Sequence, residues 1–303
     1  MQKRLLTASL CLSCLVLFSF TALAGSPTGQ ARSKAPSFAI VLASFGSTDA
    51  EAQKVQDAFL QAARERYAPT PVYMGFTARI VMKKLQEQGK DAPSLFRILA
   101  ELGDQGYDHI AVQSMQVITG AEFEGVKQIA TAQEGLPKGF KRVVVGDPLV
   151  ASNEQAAELA HALIASLPKE RKSGEPVIFI GHGAEGRGGL SYPALNWHLQ
   201  ILDPMLFIST VEGAPSMDDT LIALPAPEGK KLRVWLAPLL ALAGEHARND
   251  IFGADPDSWK SMLTAKGYEC MNIEKALLSL PAVRELWFAH LDEALLSLGY
   301  EKK

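Results

Sequence analysis

Cysteine is scarce in this chain of 303 residues, and two of the three copies, Cys11 and Cys14, fall in an apolar run near the amino terminus. Without that run Cys270 stands alone, so no intramolecular disulfide is available to the fold even in an oxidising compartment. A basic excess is missing as well. With 30 Lys and Arg against 33 Asp and Glu, the net charge of −3 offers nucleic acid no electrostatic footprint. There is no GxGxxG with an acidic partner, no phosphate loop and no serine elbow, so nucleotide chemistry and acyl transfer have no residues to rest on. The close ligand pair of an HExxH zinc hydrolase is also absent.

What is present begins with an export signal. "MQKR" is a positive stretch, "LLTASLCLSCLVLFSF" is apolar, and Ala22 to Ala24 supply the small residues a signal peptidase needs. Cleavage near Ala24 and a periplasmic location are expected, leaving no stable membrane insertion; a retained anchor or a lipoprotein on Cys14 is the alternative. Cleavage removes Lys3 and Arg4, leaving 28 basic against 33 acidic residues, or −5. Residues 25–36, "GSPTGQARSKAP", lack apolar periodicity and read as a flexible leader.

In the mature chain, strand patterns alternate with helical ones. Strands are expected at 38–47, 72–78, 109–118 and 142–150, and again, after the charged linker "LPKERKSGEP", at 177–183, 205–213, 232–242 and 268–273. This alternation predicts an α/β fold of two similar Rossmann-like domains, 36–170 and 171–303, each with a parallel four-stranded sheet. The turns "ITGAEFEG" and "LAGEHARND" follow the third strand of each half and suggest a duplication. The consequence is an interdomain cleft lined by the carboxyl ends of both sheets.

Three strand ends of the second half carry polar groups. His182 stands between Gly181 and Gly183 at the end of "VIFIGHG", Glu212 ends the next strand, and His246 follows the third. Neutral imidazole and carboxylate suit first-row transition metals and accept protons near neutral pH. The other histidines read blandly: His161, His198 and His290 lie in helical patterns, and His109 begins a strand and is expected to face solvent. Asp218 and Asp219 resemble a helix start.

"SFGS" (44–47), "FTARIVMKKL" (76–85), "VQSMQVITGAEFE" (112–124), "IGHGAE" (180–185), "TVEGAP" (210–215) and "LAGEHARNDIFGADPDSWK" (242–260) resemble, in this order, the anaerobic-type sirohydrochlorin cobaltochelatases. These are relatives of ferrochelatase that work without a nucleotide, and the resemblance runs from residue 38 to about 295. It implies a ferrochelatase-like chelatase fold that inserts Co²⁺ into sirohydrochlorin for cobalamin-type tetrapyrrole biosynthesis. The family's two active-site histidines fall on His182 and His246, and its acidic partner on Glu212. Where the family commonly has "QSLH", this chain reads "QSMQ", so that Gln116 replaces a histidine with a group that neither titrates near neutral pH nor binds metal well.

Metal insertion needs ligands that strip water from the ion, a base for the two pyrrole protons, and a pocket for the macrocycle. His182, Glu212 and His246 are the candidates for both metal binding and proton transfer. Gln116, Met115 and Leu240 are the candidate ring contacts on the strand ends. Fe²⁺ insertion giving sirohaem or haem is the rival within enzymes, since these ligands barely distinguish the two ions. A noncatalytic periplasmic carrier of haem or metal is the rival outside them. The partners implied are a tetrapyrrole and a divalent metal, with no nucleic acid and with room for a homo-oligomer.

Overall fold

The computed structural model describes residues 37–227, 232–245 and 247–301. The signal-peptide and leader expectations fall on residues 1–36, outside the described residues. Residues Pro36–Lys303 group as one compact unit. No helix among the described residues is long and apolar enough to cross a membrane.

All eight expected strands are present: β1 (Phe38–Ser44), β2 (Val72–Phe76), β3 (His109–Ser114), β4 (Arg142–Gly146), β5 (Val177–Gly183), β6 (Leu206–Glu212), β7 (Arg233–Pro238) and β8 (Glu269–Asn272). They form two fully parallel sheets, ordered β2-β1-β3-β4 and β6-β5-β7-β8. The second order is the first repeated four strands later, which is the pattern a duplication predicts. Several strands end earlier than the apolar pattern suggested. β1 stops at Ser44 because Gly46 turns the chain with a φ of 84°, and β7 stops at Pro238, which has no N–H to extend the ladder.

The helices are α1 (Ala50–Tyr67), α2 (Arg79–Glu87), α3 (Leu95–Asp104), α4 (Ala121–Thr131), α5 (Asn153–Ala165), α6 (Ser191–Leu202), α7 (Met217–Ala223), α8 (Trp259–Ala265) and α9 (Pro281–Ser297). Side-chain caps start many of them. Asp49 accepts from the Ala52 N–H at 2.9 Å before α1, and Ser152 and Gln155 form a capping box before α5. Ser216 and Asp219 do the same for α7, the helix start expected there.

Alternation along each strand divides the interior into three apolar layers. Ile40 and Leu42 of β1 and Val177 and Phe179 of β5 point into one shared core with α1, α5, α6 and α9. Ala39, Val41 and Ala43 turn the other way, against Leu99 of α3 and Val126 of α4. Ile178 and Ile180 pack likewise under Trp259 and Leu263 of α8. Burying each large apolar side chain stabilises by about 1.5–3 kcal/mol, so the shared layer binds the two sheets into one body.

Helix α9 is last in the chain but packs against β3, β4 and α5 of the first half. Phe288 stacks on Phe59 of α1 with ring centroids 4.9 Å apart, and Trp287 is fully buried beside them. At the surface end, Arg66 of α1 meets Asp292 at 2.8 Å and Glu285 at 2.9 Å, and the Tyr67 hydroxyl donates to Asp292 at 2.8 Å.

Candidate active site

Tyr192 and its two glycine neighbours explain where His182 stands. A Cβ on Gly181 would lie 2.5 Å from the Tyr192 ring, inside any normal contact. Gly183 has a φ of 96°, and a Cβ there would lie 1.6 Å from the Glu212 carbonyl oxygen. Its N–H donates to the Tyr192 hydroxyl at 3.2 Å. Both glycines are therefore required by close packing, and the side chain between them is the exposed one.

Glu212 arrives on the neighbouring strand. The register pairs Gly181 with Thr210 and Gly183 with Glu212, so His182 stands one step before the level of Glu212. Since Gly183 leaves the extended region, the simple alternation of the pleat ends there and does not dictate how the two side chains face. Glu212 is exposed, and the Thr210 N–H donates to the Pro215 carbonyl at 2.7 Å, closing the turn that follows.

His246 lies outside the described residues, but the segments around it are clear. After β7 the Leu239 N–H donates to the Ile180 carbonyl at 2.7 Å, tying this strand end to that of β5. Gly244 comes so close to the first half that a Cβ would lie 2.8 Å from the Ser47 hydroxyl. Beyond residue 246 a π-helical turn, Ala247–Ile251, brings Arg248 to Asp49 at 3.1 Å. An open polar groove of about 440 Å³ runs here between Thr48, Asp49 and Ala50 on one side and Glu245, Arg248 and Asn249 on the other. On the next strand pair, a Cβ on Gly188 would lie 2.9 Å from Gly120 and Thr119 after β3. The loop after β1 thus meets the loop after β7, and the loop after β3 meets the loop after β5.

Two sheets whose carboxyl-end loops meet in this way, with His182 and Glu212 on adjacent strand ends, give geometry but no lineage. Sequence comparison supplies that. Residues 38–296 match the family described as Cobalt chelatase (CbiK). The chain belongs to this cobalt chelatase family. It is 35% identical over 259 residues to the sirohydrochlorin cobaltochelatase CbiKC of Nitratidesulfovibrio vulgaris, covering 86% of this chain and 91% of that protein. It is 33% identical over 225 residues to the sirohydrochlorin cobaltochelatase of Salmonella typhimurium, covering 74% and 83%. In fold it is similar to the sirohydrochlorin chelatase SirB from Bacillus subtilis subspecies spizizenii in complex with cobalt, with a TM-score of 0.58 at 17% identity over 87% of this chain and 97% of that one. CbiX, described as the terminal enzyme for biosynthesis of siroheme in denitrifying bacteria, gives a TM-score of 0.51 at 15% identity over 85% and 99%. The expected chelatase fold is the one present.

On the first-half side of this cobalt chelatase, the ends of β1 and β3 carry neutral polar groups. Ser44 donates its hydroxyl to Gln56 at 2.8 Å and accepts from the Gly46 N–H at 3.1 Å. Gln113 is fully buried and donates to the carbonyls of Ser114 and Asp147, each at 2.8 Å. Gln116 sits at the end of β3, its side-chain oxygen accepting from the Ser114 hydroxyl.

The expected ring contacts Met115 and Leu240 differ in exposure. Met115 is only 2% exposed, and its surface is taken up by the shared core. Leu240 is partly buried against the private core of the second sheet. Strand position alone does not imply exposure: Met115 turns inward, while Leu240 keeps part of its surface open. The exposed large apolar groups at strand carboxyl ends are instead Phe45, 48% exposed, and Val211, 50% exposed. "SFGS" carried a signal for the first, since a phenylalanine before a turning glycine has little room to fold back.

Among the described residues, no three His, Cys, Asp or Glu side chains converge as a metal site. The other histidines are structural. His161 is exposed on α5, His198 bonds Asn153 at 3.0 Å, and His290 is buried with Nδ1 3.3 Å from the Asp147 carbonyl. His109 departs from the expected solvent position: its Nδ1 lies 2.8 Å from Asp108 and its ring packs on Phe38. Burial pushes the Asp108 carboxyl up, but His109, Lys141 and the Ser37 N–H outweigh it and hold the group well below the ordinary carboxylate range.

Proposed function

We propose that this chain inserts Co²⁺ into sirohydrochlorin without a nucleotide, the macrocycle lying in the cleft where the carboxyl ends of the two sheets meet. The observation that carries the reading is His182, held outward between two obligatory glycines on the strand next to Glu212, in a chain of the cobalt chelatase family. In this reading His182, Glu212 and His246 receive the ion, exchanging its water shell for imidazole nitrogen and carboxylate oxygen. Two pyrrole N–H bonds break as four Co–N bonds form, and the two protons pass to these basic groups as the ion leaves them for the ring. Gln116, in place of a histidine, contributes a hydrogen-bonding amide and leaves ion and proton handling to the second half.

We further propose that the chain is exported, with its mature start shortly after Ala24. Mass spectrometry of the protein from an envelope fraction checks this, and an intact Met1 in the cytoplasm would overturn it. The activity is tested by mixing purified mature protein with sirohydrochlorin and either Co²⁺ or Fe²⁺ and following the visible absorption bands. Faster insertion with Co²⁺ is expected. A tetrapyrrole that binds and never acquires metal would replace the enzyme by a carrier.

A further inference from the structure

Arg187 is an exposed cation at the site without a carboxylate of its own. It belongs to the short 3₁₀ turn Gly186–Leu190 that follows the strand carrying His182. The backbone of that turn is fixed immediately after the arginine. Gly188 is buried against Thr119 and Gly120, and a Cβ on Gly189 would lie 2.5 Å from the Ala184 carbonyl. The guanidinium has no ion-pair or hydrogen-bond partner among the described residues. Arg248, at the other loop contact, contrasts with it, since its charge is matched by Asp49 at 3.1 Å.

The surroundings give this unpaired charge a meaning. The mature chain is expected to carry a net charge of −5, and the rim itself exposes Glu185, Glu212 and Glu245. Such a field draws in a divalent cation and repels a molecule edged with carboxylates. A tetrapyrrole with a carboxylate periphery therefore needs a local cation to enter. An arginine suits it, because its planar fork accepts a carboxylate by two parallel hydrogen bonds. Apolar Phe45 and Val211, exposed at a strand end of each sheet, suit the faces of the same ring.

We infer that Arg187 is a specificity-determining residue that pairs with a peripheral carboxylate of the tetrapyrrole and so selects polycarboxylate macrocycles over esterified or less acidic ones. This rests on the chelatase reading above. The test compares wild type, Arg187→Ala, Arg187→Lys and, as a remote charge control, Arg97→Ala, an exposed position on α3. Each is given metal-free sirohydrochlorin or its methyl ester, with ring binding followed by fluorescence quenching and cobalt insertion by absorbance. Arg187→Ala is expected to raise KM and the dissociation constant for the free acid by about tenfold, leave kcat within about twofold and leave the ester unaffected. Arg187→Lys should recover part of the loss, and added salt should weaken free-acid binding in the wild type more than in Arg187→Ala. Equal weakening for acid and ester, no weakening at all, or the same shift in Arg97→Ala would each overturn the inference. If wild type binds the ring and inserts no metal, the catalytic reading falls, and the binding series still decides the role of Arg187.

Discussion

In the first sheet the ends of β1 and β3 carry amides and hydroxyls, while in the second the ends of β5 and β6 carry groups that titrate. Ser44, Gln113 and Ser114 are buried and bonded within their own half. His182 and Glu212, at the corresponding edge of the second sheet, are exposed. The strand order is the same in both sheets, so the fold did not impose this difference. Under the proposed function, one copy of a repeated architecture serves as a wall and the other holds the reacting groups. Carboxylates show the contrast again within the second half. Glu175, before β5, is 8% exposed and accepts from the Trp235 indole N–H at 2.7 Å, whereas Glu212 at the far end of the next strand is open to solvent.

The largest test of this asymmetry removes the titrating groups. His182→Ala combined with His246→Ala should slow cobalt insertion by about 10²-fold or more, the contribution of positioned acid–base groups. Ser114→Ala combined with Gln116→Ala should slow it less than about tenfold, because neither group handles a proton or an ion. Absorbance assays on the two double variants suffice, and equal losses would abolish the distinction between wall and reacting half.

A second test compares glycines. Gly183→Ala puts a methyl group 1.6 Å from a backbone carbonyl at a φ of 96°, so it should cost about 2–3 kcal/mol or more in denaturant unfolding. Gly125→Ala in α4 meets nothing within 4 Å and should stabilise by up to about 1 kcal/mol, the helix preference of alanine. Loss of stability in both would mean that the two halves are equally constrained.

The third comparison is one of acid stability. Burial pushes the Glu175 carboxyl up, but the bond from Trp235, the Lys172 N–H and the nearby Arg233 outweigh it and hold the group below its ordinary value. Its stabilisation is therefore complete above the unfolded value of about 4.3 and is lost as pH falls below that through the folded value. Glu175→Gln should lower stability at pH 7 by about 1–2 kcal/mol and flatten the acid limb of a stability–pH curve. Glu212→Gln should impair insertion. The smallest expected effect is that of Gln116→His, which adds a titrating group to the wall and should change the cobalt insertion rate by less than about threefold, a fraction of what a positioned base contributes.

Periodicity revealed the strands because it is a local property, and a buried parallel strand such as "FAIVLAS" or "VIFIG" announces itself by unbroken apolar residues. Chain ends of strands were less legible, since an apolar residue can continue past the last ladder bond, as Phe45 and Leu240 do. The position of the His182 strand end could be read, but its cause could not. Tyr192 lies nine residues away on another element, and nothing in the spacing says that its ring fills the space beside Gly181. The charged stretch 167–176 read as a linker, yet Arg171 meets Asp203 at 2.8 Å and Glu175 holds Trp235, so partners distant in sequence turn it into a strut. For the ring contacts, strand position was too coarse a guide: Met115 and Phe45 both lie near strand ends, and only packing separates the buried one from the exposed one.

Helix α9 has a bearing on where the chain can be cut. Phe59, Tyr67 and the inner faces of β3 and β4 are covered by residues of a helix that follows far along the chain, Phe288 lying 221 positions after Tyr67. The amino-terminal half therefore completes its core only with residues that α9 supplies. Truncation before Pro281 removes α9, leaves the faces it covers open to water, and should yield a protein that aggregates.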